Sequence, residues 1–156
     1  MKDAVRRIRS VADYQFGRGV GNRIFPVNVD IIRSKKTGRI RYVYLSGERL
    51  ATLRPTDGLF SLSIKGARRI TEDRSGAECF VTVQKDVSSV IAEGRSVFAK
   101  HVVKADWAIR PKDEVIVINE NGAVLAVGRA VLSGEEMENL MSGVAVKVRR
   151  GCREES

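Results

Sequence analysis

Histidine, cysteine and proline are scarce in this chain: of 156 residues, one is His, two are Cys and three are Pro. The lone histidine, His101, leaves little scope for acid–base chemistry built on imidazole, and no orienting carboxylate is evident beside it. Cys79 and Cys152 lie far apart and fit no paired metal or redox spacing. Both are expected to be reduced thiols, and neither a metal site nor a cofactor is expected. No apolar run approaches the roughly 20 residues of a membrane-spanning helix, so no membrane partner is expected. The stretch Met1 to Ser10 is charged and lacks the apolar centre of a signal peptide, so the expected location is cytoplasmic. Length alone excludes a (β/α)8 barrel, which needs roughly 250 residues.

What is present describes a folded, strongly basic protein. Hydrophobic residues make up 43% and charged residues 30%, ordinary usage for a globular chain, while 28 Lys and Arg face 19 Asp and Glu for a net charge of +9. The excess is lopsided. Residues 1–75 hold 17 basic and 7 acidic side chains, a charge of +10, and the remainder is close to neutral with 11 against 12. This asymmetry predicts two domains divided near Gly76, with the positive field of the first suited to an anionic partner; the bounds expected are 1–75, 76–151 and a short tail over 152–156.

Local patterns divide the same way. Val5, Ile8, Val11 and Ala12 recur at helical spacing between Asp3 and Gln15, and Gly17, Gly19 and Gly21 break that helix into a loop reaching Pro26. Three runs rich in β-branched and aromatic residues follow, Val27 to Arg33, Arg39 to Leu45 and Glu48 to Arg54, and predict an antiparallel meander. Val27, Val29 and Ile31 are expected on one face of their strand, as are Ile40, Tyr42 and Tyr44 on theirs. Leu59 to Ile70 fits a strand or a short helix. Beyond it, Glu78 to Gln84, Ser96 to Val103, Val115 to Ile118, Ala123 to Leu132 and Val144 to Arg150 read as strands. Asp86 is expected to cap a short helix ended by Gly94, and Ser133 to Met137 to form a capped turn. So many short strands predict a small, nearly closed barrel, and an α+β chain as a whole.

Few residues invite chemistry. The glycines at 17, 19 and 21 do not have dinucleotide-loop spacing and follow a helix instead of a strand. Glu135 and Glu136 are neighbours on a predicted helical turn and point apart, unlike a glycosidase pair. The basic residues are better placed. Arg33, Lys35, Lys36, Arg39 and Arg41 crowd one hairpin tip, where an anion would relieve their mutual repulsion. A solvated hairpin that guards a strand edge accounts for that cluster equally well. Phe98, Lys100, His101 and Lys104 combine an aromatic ring with cations, and Lys147, Arg149 and Arg150 occupy the last strand, so together they are candidates to grip phosphates or stacked bases.

The segments Val97-Phe98-Ala99-Lys100-His101-Val102-Val103, Ile109-Arg110-Pro111-Lys112-Asp113-Glu114-Val115, Leu125-Ala126-Val127-Gly128-Arg129-Ala130 and Gly143-Val144-Ala145-Val146-Lys147-Val148-Arg149 closely resemble, in order, a PUA domain. That resemblance implies a β pseudo-barrel that binds structured RNA. His101 and Lys112 depart from it, standing where the pattern usually has glycine. The first half is similar to the domain that precedes PUA in archaeosine tRNA-guanine transglycosylases, through Asp13-Tyr14-Gln15-Phe16-Gly17-Arg18-Gly19, Thr37-Gly38-Arg39-Ile40-Arg41, Leu50-Ala51-Thr52-Leu53-Arg54-Pro55 and Asp57-Gly58-Leu59-Phe60. Together the two resemblances imply an RNA-binding protein of tRNA modification, with structured RNA, foremost tRNA, as partner and no catalytic activity by itself. Two rival expectations stand beside it: a docking subunit that completes a separately encoded transglycosylase, and a base-modifying enzyme centred on His101.

Overall fold

The computed structural model describes residues 2–154 and separates the chain into two compact units, divided between Ala77 and Glu78. In the first unit, helix α1 (Lys2–Phe16) buries Ala4, Ile8, Ala12 and Phe16, a stripe repeating every fourth residue. Val5 and Val11, expected at its centre, flank that stripe half-buried. Gly17 ends the helix at φ 129°, where a Cβ would collide with the Gly76 carbonyl, so glycine is required there. The expected loop to Pro26 instead contains a short helix, α2 (Val20–Ile24). Gly21 does not break it: the missing side chain lets α2 meet the Arg9 backbone of α1, and the Gly21 N–H donates to Asp13 Oδ1 at 2.7 Å.

Strands β1 (Asp30–Arg33), β2 (Ile40–Leu45), β3 (Glu48–Leu53) and β4 (Phe60–Leu62) form an antiparallel sheet in chain order. The segment once ambiguous between strand and helix is both: β4 leads into α3 (Ile64–Thr71), whose cap Ser63 accepts from the Gly66 N–H at 3.0 Å. Gln15 ties α1 to β4, donating to the Phe60 carbonyl and accepting from its N–H at 2.8 and 2.7 Å. Strict alternation fails in two places. The first strand begins only at Asp30, leaving Val27 79% exposed. In β2, Ile32 pairs with Tyr42 but Arg33 with Ile40, so Arg41 is the extra residue of a bulge. Ile40 and Val43 are therefore buried, while Tyr42 and Tyr44 are half-buried with rings 6.4 Å apart.

The second unit is a mixed sheet of β5 (Phe80–Val83), β6 (Val97–Phe98), β7 (Val102–Ala105), β8 (Glu114–Ile118), β9 (Val124–Ala130) and β10 (Val144–Gly151). Their spatial order is β6-β10-β9-β8-β5-β7, with only β5 and β8 parallel. The expected single strand over Ser96 to Val103 is broken by a 3-10 turn at Ala99–His101, and this turn joins the two opposite edges of the sheet, β6 and β7. A nearly closed pseudo-barrel results. Val81, Val83, Val97, Val115, Val117, Leu125, Met137 and Val146 fill it.

Asp86 sits inside a 3-10 turn (Lys85–Val87) instead of capping α4 (Ser88–Ala92), whose first turn lacks a side-chain cap. By contrast, α5 (Gly134–Asn139) carries a full capping box between Ser133 and Glu136. Where a tail was expected, the Cys152 N–H donates to Leu125 at 2.7 Å and the Arg153 N–H to Ala92 at 2.8 Å. Residues 155 and 156 lie outside the described residues. Among the described residues no helix is long and apolar enough to cross a membrane.

Candidate nucleic-acid interface

Each unit presents its own cluster of exposed cations. In the first, the β1–β2 turn brings the five expected residues to one hairpin end. Lys35, Lys36 and Arg39 are exposed, and Arg33 folds back so that its Nη1 donates to the Gly38 carbonyl at 3.0 Å. Arg41 differs from the other four. As the bulge residue it is half-buried, with its guanidinium 5.7 Å from the Tyr42 ring centre.

In the second unit, Phe98, Lys100, His101 and Lys104 lie along β6, the 3-10 turn and β7. Phe98 is 46% exposed and meets His101 edge to face, with ring centres 6.4 Å apart and planes at 79°. Lys100, within the turn, and Lys104, on β7, both reach solvent. Among the described residues no hydrogen bond or ion pair orients the His101 imidazole, so it lacks the partner that a general base needs. The backbone at 101 avoids positive φ, and histidine sits there without strain. Lys112 is the opposite case, held at φ 79°, a left-handed conformation that glycine adopts far more readily than lysine.

The last strand contributes less than its charge suggests. Phe98 pairs with Val144, so Lys147 lies about 10 Å and Arg150 about 20 Å further along β10 at the usual rise of a strand. Arg150 is at the far end, next to Gly151 where it packs on Ala92 and Gly94. Arg149 is again the extra residue of a bulge, between Val148 paired with Gly128 and Arg150 paired with Val127. Its guanidinium grips Glu114 at 2.8 and 2.5 Å, and the Glu114 side chain is wholly buried. The expectation that Arg149 faces RNA thus meets a guanidinium already committed to a buried carboxylate.

Trp107 lies in a short segment between β7 and β8 that carries no periodic signal. It is the only tryptophan in the chain, 63% exposed, and its indole N–H donates to Glu138 Oε1 at 2.7 Å. The other oxygen of Glu138 accepts from the Ala105 N–H at 2.8 Å. The Ala105 and then the Trp107 hydrogen bonds hold the Glu138 carboxyl below its usual range. Leu140 and Met141, just beyond α5, are exposed as well, and α5 packs beside β7 and the 3-10 turn. A rigid indole and apolar groups therefore adjoin the cations. Only the rarity of an exposed Trp could have hinted at this, and exposure is not written in the sequence.

The Cys79 thiol is unsuited to such chemistry. Cys79 is buried, and burial pushes its thiol far above the ordinary range, away from nucleophilic thiolate character. Among the described residues no three His, Cys, Asp or Glu side chains gather in a group able to hold a metal ion.

Comparison with known families matches both units. Residues 6–75 match the patch-forming domain C2 of tRNA-guanine transglycosylase, and residues 80–152 match the PUA domain. The chain joins a C2 patch-forming domain to a PUA domain. It is 45% identical over 153 residues to the tRNA-guanine(15) transglycosylase of Pyrococcus furiosus, covering 98% of this chain and 26% of that protein. With the tRNA-guanine(15) transglycosylase of Methanobrevibacter smithii it shares 40% identity over 152 residues, 97% of this chain and 23% of that protein. The C2–PUA chain thus spans about a quarter of the length of the transglycosylases it matches. Its fold is that of a hypothetical protein from Pyrococcus horikoshii, with TM-score 0.78, 23% identity and coverage of 99% of this chain and 93% of that one. A conserved PUA domain protein from Thermoplasma acidophilum gives TM-score 0.69 at 21% identity, covering 99% and 91%.

Proposed function

We propose that this C2–PUA chain binds structured RNA, foremost tRNA, in RNA modification and carries no catalytic activity by itself. The observation that supports this best is the Phe98–His101 ring contact on the same short stretch as the exposed Lys100 and Lys104, in a domain matched as PUA and in a chain similar throughout to a quarter of enzymes named for tRNA. Phe98 and His101 offer stacking surface and the lysines offer phosphate contacts. An A-form helix or its end presents phosphates, 2′-hydroxyls and unstacked bases to such a surface, so contour more than base sequence is read. The hairpin cations Arg33, Lys35, Lys36 and Arg39 supply a second set of phosphate contacts. Lys147 and Arg150 extend the PUA side, whereas Arg149 acts through Glu114. If about five phosphates are neutralised, the logarithm of affinity for a tRNA transcript falls against the logarithm of salt with a slope of about −3.5 to −4.5. A slope near zero, or no complex in dilute buffer, refutes the reading.

A second reading, docking onto a separately encoded transglycosylase catalytic part, is favoured by apolar exposure on the first unit. Tyr14 is 85%, Val27 79% and Ile32 46% exposed. Beside α1 and α2 runs a groove of about 570 Å3 whose lining includes Val5, Arg6, Arg9 and Val27. Mixing the chain with the catalytic part of a matched transglycosylase should raise guanine exchange in tRNA. Equal exchange with and without the chain removes this reading.

A further inference from the structure

One row across three strands of the PUA sheet sets charges side by side. The register aligns Glu114 on β8 with Arg129 on β9, and Arg129 with Lys147 on β10, so the three side chains share one face. The acid of the row serves neither base: Glu114 is wholly buried and gripped by Arg149 at 2.8 and 2.5 Å. Arg129 and Lys147 therefore stand directly opposite each other, both exposed, and among the described residues neither side chain has a hydrogen bond or ion pair. Like charges so placed lower the stability of a sheet. A second unfavourable placement adjoins them. The Lys112 N–H donates to the Ala130 carbonyl at 2.8 Å, which fixes the turn before β8 next to Arg129 on β9. Lys112 is held there at φ 79°, exposed, and its side chain too has no partner among the described residues. The acid beside it, Asp113, is turned onto the backbone and accepts from the Arg110 N–H at 2.9 Å. Opposed cations and a strained lysine each cost stability without a compensating contact inside the protein, and such costs gather where a ligand binds.

We propose that Arg129 and Lys147 share one phosphate of bound RNA, with Lys112 as its third cation, at a site further along β10 than the Phe98–His101 contact. Residues directly opposite on antiparallel strands have Cβ atoms about 4.5–5.5 Å apart, so both cationic heads can reach one anion, which turns their repulsion into two attractions. The donors select the ligand class. The guanidinium offers a planar fork of N–H groups and each ammonium three rotatable ones. A phosphate has oxygens in several directions for these cations, whereas a carboxylate presents two in one plane. The assignment to RNA rests on the RNA-binding reading above; the site itself rests on the strand register and the strained turn.

The test uses the full chain with two probes, inorganic phosphate and a tRNA transcript, each titrated at constant ionic strength against chloride. The Arg129 Nε–H signal in NMR spectra, identified by its loss in Arg129→Gln, should shift saturably with either probe and stay still with chloride. Transcript affinity should fall about three- to tenfold in Arg129→Gln and in Lys147→Gln, the contribution of an exposed charge-assisted hydrogen bond. Because one phosphate is held by both, the double variant should make the salt slope shallower by about 0.7–0.9 in total. A change of about twice that would give each cation its own phosphate and overturn the shared site. Lys112→Gly should raise the unfolding midpoint while lowering transcript affinity, a split that a merely structural role would not produce. Should the double variant fail to fold, the single variants and the wild-type signal decide. A transcript bound equally by the wild type and the variants overturns the site and leaves the RNA reading intact. A signal that follows inorganic phosphate in a chain that binds no transcript upholds an oxyanion site and overturns the RNA reading. A signal fixed with both probes, with no transcript bound, overturns both.

Discussion

Removing the guanidinium of Arg149 should damage the fold before it damages any RNA contact. The Glu114 side chain is wholly buried and receives two hydrogen bonds from Arg149, at 2.8 and 2.5 Å. Truncation to alanine strips a buried carboxylate of its bidentate cation, a loss that costs about 3–5 kcal/mol when both partners are inaccessible. Here the Arg149 side chain is 39% exposed, so water reaches its outer edge and the expected cost falls to about 2–3 kcal/mol. For a unit of this size each kcal/mol lowers the midpoint by roughly 4–8 °C, which predicts a fall of about 10–20 °C in the unfolding of the PUA domain. Circular dichroism during thermal unfolding of the full chain measures it, with the two units followed as separate transitions where they separate. The double variant Glu114→Met with Arg149→Met removes both charges and should unfold within about 1 kcal/mol of the native chain, because no orphaned carboxylate remains. An Arg149→Ala midpoint within ~2 °C of the native one, together with a large loss of RNA affinity, would refute the reasoning and return Arg149 to the interface.

Three further outcomes are expected. Because hydrogen bonds depress the Glu138 carboxyl, their stabilising effect is complete above the ordinary glutamate range near 4.3 and is lost as pH falls through the lower folded value. Emission from Trp107, the sole tryptophan, should therefore change with a midpoint below that range and lose this transition in Glu138→Gln; a midpoint at or above the range contradicts the contact. Phe98→Ala should lower RNA affinity by about 1–3 kcal/mol per lost stacked base without altering the salt slope, whereas Lys100→Ala should make the slope shallower by about 0.7–0.9; binding titrations across salt separate the two, and identical effects would deny the division of labour. Lys112→Gly should raise stability by about 1 kcal/mol, since left-handed backbone costs a lysine about 1–2 kcal/mol and glycine nothing comparable, and a denaturation midpoint that falls would show that strain at φ 79° is not the governing effect.

The sequence carried the large outlines because they depend on periodicity and on turn residues. The helix over α1, the meander of β1 to β3 and the barrel strands followed from apolar spacing, and the Ser133 cap from its Glu three residues on. What it hid depends on long-range approach. Gly21 reads as a helix breaker, yet it lies inside α2 because the Arg9 backbone passes too close for a side chain. The 3-10 turn at Ala99–His101 interrupts an unbroken β pattern because the chain must cross from one edge of the sheet to the other. The exposure of Trp107 depends on Glu138, more than thirty residues away. Among the candidate interface residues, the clusters at 33–41 and 98–104 were legible as local charge, while the fate of Arg149 was decided by a bulge no alternation could disclose.

Those two bulges also show why a charge count is a poor measure of an interface. Arg41 and Arg149 are each the extra residue of a strand, and each carries a guanidinium to a place that simple alternation would not give it. On the PUA side the fold meets that charge with Glu114. Elsewhere in the first unit the arginines are tied to backbone carbonyls: Arg9 donates to Phe25 at 2.8 Å, Arg69 to Ile24 at 3.1 Å, and Arg23 to Asp73 and Ser75. Such bonds leave the charge in place but fix the side chain, so it cannot reorganise around a phosphate without releasing a carbonyl. The +10 of residues 1–75 therefore overstates the cations free to move toward RNA. The hairpin's Arg33 is tied in the same way to the Gly38 carbonyl, whereas Lys35, Lys36 and Arg39, and elsewhere Arg6, Arg7, Arg18, Arg49 and Arg68, are exposed and carry no such bond among the described residues. An anion approaching Arg9, Arg23 or Arg69 must first displace a carbonyl, whereas one approaching Lys35, Lys36 or Arg39 breaks no such bond.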